Sequence, residues 1–197
     1  MSFALGLTGS IGMGKSTTAQ MFVQEGCALW DADAAVHRLY SPGGAAVAPM
    51  GKVFPTAIVN GSVSRVELKR IISKDRGSLK TIESIVHPLV AADREEFRKS
   101  ADADIAVFDI PLLFETGGDA AMDAVACVSV SPEQQKQRVL ERKTMTEAQF
   151  EQILRKQMPN EEKCARSDFV IVTDTLDHAR AQVQDIVRQI RAGLADA

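Results

Sequence analysis

Phe3-Ala4-Leu5-Gly6-Leu7-Thr8-Gly9-Ser10-Ile11-Gly12-Met13-Gly14-Lys15-Ser16-Thr17 is the stretch that decides the fold. Residues 3–8 are short and apolar, and residues 16–25 have helical spacing through Ala19, Met21, Phe22 and Val23. Strand, glycine loop and helix in that order predict a phosphate-binding loop of the Gly-x4-Gly-Lys-Ser type. Such a loop needs glycine where backbone amides curl around phosphate oxygens, because a Cβ there clashes or resists the required dihedrals. Gly9, Gly12 and Gly14 meet that need, with Met13 and Thr17 completing the nucleotide-binding set. Lys15 supplies a cation for the β and γ phosphates, the Ser16 hydroxyl suits Mg²⁺, and the helix N-terminus points partial positive charge at the same anion. The pattern arises by chance in about 1% of random chains this long, and its flanking strand and helix lower that further. A nucleotide with Mg²⁺ is the ligand expected, and the loop alone does not separate kinases from GTPases or motor ATPases.

Working outward, residues 27–30 form a second apolar segment ending at Asp31-Ala32-Asp33, and residues 105–110 a third ending at Pro111. Residues 124–130 and 169–172 supply two more. Strands apolar along their whole length belong to sheets covered by helices on both faces, so the fold predicted is α/β, a doubly wound parallel sheet of five strands, like that of phosphate-loop NTPase kinases. Its ligands gather beyond the carboxyl ends of the strands, where the glycine loop, Asp31, Asp33 and residues 111–115 are expected to fall. About 70 residues separate the second and third strands, too many for a crossover helix. They carry helical patterns at 66–73 and 79–99, and residues from about 34 to 100 are expected to be a helical acceptor-binding insertion. Residues 132–166 are charged and helix-forming, rich in Lys and Arg, and suit a mobile lid. Residues 177–190 read as a closing surface helix, and the whole 1–197 as one kinase domain.

The chain has 197 residues, 45% of them hydrophobic, enough for a sizeable core. A net charge of −3, with no basic run interleaved with aromatics, argues against nucleic acid as partner. No stretch approaches the roughly 20 apolar residues of a membrane span, and no basic leader precedes the loop, so a cytoplasmic protein is expected. Cys27, Cys127 and Cys164 are odd in number and scattered, which predicts reduced thiols, and His37, His87 and His178 lack metal-ligand spacing. No obligatory protein partner is evident.

A GTPase would carry Asn-Lys-x-Asp on a later strand, and that tetrapeptide is absent. Motor ATPases need larger chains, whereas this one spends its extra residues on an insertion and a basic lid, which favours phosphorylation of a small metabolite. The run from Gly6-Leu7-Thr8-Gly9 through Lys15-Ser16-Thr17, with Asp31-Ala32-Asp33, Arg65, Leu68, His87-Pro88, Pro111-Leu112-Leu113-Phe114-Glu115, Gln135, Arg138, Arg142, Gln157 and Ser167-Asp168-Phe169-Val170-Ile171, resembles the dephospho-coenzyme A kinase family over nearly the whole chain. The resemblance implies transfer of the ATP γ-phosphoryl group to the ribose 3′-hydroxyl of dephospho-coenzyme A.

Against that chemistry, Asp33 would accept or orient the hydroxyl proton and Asp31 would support it or a metal-bound water, helix capping being the competing use of both carboxylates. The resemblance implies acceptor contacts from Arg65, His87, Leu113 and Glu115. An exposed helix charge competes for Arg65, a helix cap before Pro88 for His87, and an ordinary surface carboxylate for Glu115. Arg138 and Arg142, four apart, would bring planar cations to the transferring phosphate unless they are a solvated helix face. Asp109, at the third strand's end, would hold Mg²⁺ through water. Residues 172–174 lack the Asn usual in the family after the last strand, which leaves the adenine contact open.

Overall fold

The computed structural model describes residues 2–195. In chain order its elements begin with β1 (Phe3–Thr8), α1 (Lys15–Gln24), β2 (Ala28–Asp31), α2 (Ala32–Tyr40), α3 (Val47–Val53), β3 (Ile58–Val59) and β4 (Ser62–Val63). Then come α4 (Arg65–Lys74), α5 (Gly77–Ser100), β5 (Ile105–Asp109), β6 (Ala124–Ser129) and α6 (Pro132–Glu141). The chain finishes with α7 (Glu147–Leu154), α8 (Asn160–Arg166), β7 (Phe169–Val172) and α9 (Leu176–Ala195). They form two compact units, the second being Asp31–Ser100 and the first everything on either side of it.

The first unit holds a five-stranded parallel sheet in the order β2-β5-β1-β6-β7. The five strands agree with the five apolar segments, with ends shifted by a residue for three of them. β1, β5 and β6 are central and buried almost throughout, as strands covered on both faces must be. β7 lies at an edge and leaves Val170 and Val172 exposed. Gln182 of α9 covers that edge at Val172, accepting from its N–H and donating to its carbonyl, each at 2.9 Å. From β1 the chain runs out to β2, returns as β5, then passes over β1 to β6. This reversal opens a crevice at the carboxyl end of β1, and the glycine loop begins there.

One face of the sheet is covered by α1 and α9. Val183, Ile186, Val187 and Ile190 recur at helical spacing and pack with Met21 and Phe22 over Leu5, Leu7, Ile105, Val107 and Val128. The three cysteines are free, as expected. Burial pushes the Cys27 thiol up to about 11 and raises that of Cys127 further, so neither is a ready nucleophile.

The second unit packs α2, α3, α4 and α5 around Leu39, Met50, Leu68, Ile82 and Val86. It includes a hairpin that the sequence reading did not anticipate. Asn60 (φ 50°) and Gly61 (φ 76°) make the two-residue turn between β3 and β4, a pairing of residue types suited to positive φ at both positions. α5 runs unbroken through Pro88. His87 is therefore inside a helix, which removes the cap before Pro88 that competed with an acceptor contact for this residue.

Phe22 is wholly buried in the sheet–helix core. Phe22→Ala is expected to lower the unfolding free energy by about 3–5 kcal/mol, the range for truncating a buried aromatic, as read by urea denaturation.

Candidate active site

The glycine loop turns through left-handed backbone at Gly12 (φ 77°) and Gly14 (φ 91°). A Cβ at Gly12 would lie 2.6 Å from Val139 Cγ2, and one at Gly14 would lie 3.0 Å from Thr173 Oγ1, so space and dihedral both require glycine. Gly14 caps α1 without any side-chain bond, which leaves the first-turn N–H groups of that helix for an anion. Ser16 and Thr17 are exposed in this first turn. The Met13 side chain is instead buried in the core, its sulfur accepting from Val130 N–H, so that only its backbone can serve a ligand. Lys15 forms an ion pair with Asp109, whose carboxylate is 3% exposed at the end of β5.

The loop is held from behind by Thr173. Its hydroxyl donates to the Met13 carbonyl at 2.7 Å and accepts from the Arg138 guanidinium at 3.0 Å, while Arg138 also donates to the Thr173 carbonyl. Arg138 is therefore engaged rather than a solvated face. With Arg142 it lines a cleft of about 200 Å³ together with Gly14, Thr17, Thr175 and Leu176. The sequence reading missed Thr173, which falls where the family's Asn was sought.

In the second unit, Asp31 is the N-cap of α2 and accepts from Ala34 N–H at 2.8 Å. Capping, one of the two uses expected of Asp31, is present in the structure. Asp33 sits exposed in the first turn of the same helix, with the cap position already filled. Arg65 opens α4 and lies over the Tyr40 ring, 5.8 Å from its centroid, and His87 is exposed on α5.

The family model for dephospho-CoA kinase matches residues 3–178. A curated dephospho-CoA kinase of Ruegeria pomeroyi is 80% identical over 193 residues, covering 98% of each chain. The chain belongs to the dephospho-CoA kinase family. Among solved structures it is similar to TT1252 from Thermus thermophilus (29% identity, TM-score 0.84, covering 95% of this chain and 97% of that one). It shares its fold with the dephospho-CoA kinase from Campylobacter jejuni (23% identity, TM-score 0.72, covering 98% and 99%). Membership in this family implies a nucleotide as phosphoryl donor.

Two residues expected among the acceptor contacts of a dephospho-CoA kinase have other work here. Leu113 is fully buried with Phe114 and Val125, and its side chain fills the space a Cβ on Gly6 would need, so here it packs in the core. Glu115 accepts from Met158 N–H at 2.9 Å and pairs at 2.9 Å with Lys163, a lysine with no exposed surface. Burial pushes the Glu115 carboxyl up, but the bonds from Lys163 and Met158 outweigh it and hold the group below the usual carboxylate range. Lys163 read as one more lid cation in the sequence. A charge destined for burial carries no mark in the chain's own pattern.

A carboxyl with a depressed folded pKa stabilises the protein above its unfolded value of about 4.3, and that stability is lost as pH falls through the folded value. Glu115→Gln is therefore expected to be less stable than the parent at pH 7. The gap should close as pH is lowered below about 4 in parallel urea titrations; a gap independent of pH would contradict the ion pair.

Proposed function

We propose that the chain transfers the γ-phosphoryl group of ATP to the ribose 3′-hydroxyl of dephospho-CoA, giving CoA and ADP, the last step of CoA synthesis. The observation carrying this reading is 80% identity over 98% of both chains to a dephospho-CoA kinase, in a chain whose loop is shaped for a polyphosphate. The amides from Gly12 to Thr17 would cradle the phosphates, and Lys15 would turn from Asp109 toward the β and γ oxygens. The cleft beside Gly14 suits the adenosine, with the planar Arg138 guanidinium, Thr175 and Leu176 among its lining residues. Arg138 and Arg142 also bring cations to the transferring group.

In the transfer, the acceptor oxygen bonds to the γ-phosphorus as the bond to the β-γ bridging oxygen breaks. Charge spreads over the equatorial oxygens, so positioning and cations matter more than a strong base. Asp33, relieved of capping by Asp31, would orient the 3′-hydroxyl and receive its proton. Arg65 and His87 would bind the acceptor nucleotide. Ser16 and Asp109 offer the hydroxyl and carboxylate oxygens that Mg²⁺ accepts, and the bound ion would neutralise phosphate charge. A cytoplasmic setting suits the free thiols and a chain in which no helix among the described residues is long and apolar enough to cross a membrane.

ADP release should require dephospho-CoA and should not be supported by nucleosides or nucleoside monophosphates at equal concentration. Turnover with one of these and none with dephospho-CoA would overturn the assignment. Asp33→Asn is expected to keep nucleotide affinity within about twofold while losing a factor of about 10²–10⁴ in kcat, and an undiminished kcat would remove Asp33 from the reaction.

A further inference from the structure

Lys163 stands at the centre of a closed ring of hydrogen bonds around the glycine loop. Its ammonium donates to the Pro111 carbonyl at 2.9 Å, and the same carbonyl accepts from the Thr8 hydroxyl at 3.1 Å, one residue before Gly9. Its other partner is Glu115, which accepts from Met158 N–H. The neighbouring Gln157 accepts from Ile11 N–H at 3.3 Å, which returns the ring to the loop three residues beyond Thr8. Asn160, one helical turn before Lys163 on α8, accepts from Ser10 N–H at 3.1 Å, and Gln135 donates to the Ile11 carbonyl at 2.7 Å.

We propose that Lys163 is a positioning residue for ATP, fixing the rising limb of the glycine loop against residues 111–115 and against the start of α8. Stability alone does not call for a cation here. A buried ion pair replaced by apolar groups of similar volume is often as stable, whereas removing one partner strands the other charge. What the pair adds is geometry, because a single ammonium ties two points of the loop after β5 to a helix that itself grips Ser10. It follows that α8 is an anchor, and that any lid motion within residues 132–166 is confined to the part between α6 and Gln157, since Gln135 of α6 also bonds to the loop. It follows too that Glu115 acts on the donor site through Lys163 and not as an acceptor contact.

The inference rests on the kinase reading, which parent turnover with ATP and dephospho-CoA tests separately. The variants are Lys163→Met, Glu115→Gln and the double variant Lys163→Met/Glu115→Leu. Each is measured for ATP affinity by calorimetry without acceptor, for KM of both substrates, and for melting temperature. Lys163→Met and Glu115→Gln should weaken ATP affinity and lower kcat/KM for ATP by about 10–100-fold, by analogy with losing an outer-shell partner of a metal ligand, with the dephospho-CoA KM within about threefold of the parent. The double variant should regain the melting temperature and not the ATP affinity. Recovery of both would reduce the pair to packing and overturn the proposal. Glu115→Gln, which keeps size and one acceptor oxygen, is the variant expected to fold in every case. Were it to raise the dephospho-CoA KM and spare ATP, Glu115 would be an acceptor contact and the proposal wrong.

Discussion

A phosphate loop must hold its amides inward against their own dipolar repulsion before any anion arrives, and bonds made to the back of the curve do this here. The Met13 carbonyl points out of the curve into the Thr173 hydroxyl, and Arg138 fixes Thr173 in turn. Gly12 and Gly14 then follow as necessities, since Val139 and Thr173 occupy the space that side chains at those positions would need. The cavity thus formed offers the uncapped turn of α1 and Lys15 to one polyanion. The same bonds tie the loop to α6 and to the end of β7, so the donor site draws on the order of the whole sheet.

Lys15 and Asp109 illustrate how such a site keeps its charges. Asp109 closes a strand whose other residues are apolar and buried, and its carboxylate would be costly there without a cation. Lys15 supplies that cation, and a polyphosphate then has to compete for it or share it. In the pair neither charge is buried alone, which is the condition under which buried ion pairs persist. Lys163 and Glu115 meet that condition on the other side of the loop.

Much of this was legible in the sequence because it rests on local pattern. Five apolar runs gave five strands, since a strand covered on both faces has no polar residue to interrupt it. The glycine spacing gave the loop because the left-handed turn excludes other residues. Asn60-Gly61 also carried a local turn signal, but the two-residue strands around it were too short to register as strands. What could not be read depends on contacts distant in sequence. The carboxylates of Asp31 and Asp33 look alike in the chain, and only the bond to Ala34 N–H tells which one caps. Leu113 and Glu115 lie in a family motif, yet one is core and the other answers Lys163, 48 positions away. Thr173 and Asn160 have their roles through bonds to the loop across more than a hundred residues.

The central claim is a position on the acceptor, and proton-detected phosphorus correlation on the reaction product tests it most directly. After incubation with ATP and dephospho-CoA, a new phosphomonoester signal coupled to the ribose H3′ is the result predicted. A phosphate coupled to H2′, or ATP consumed only to inorganic phosphate, would contradict the account.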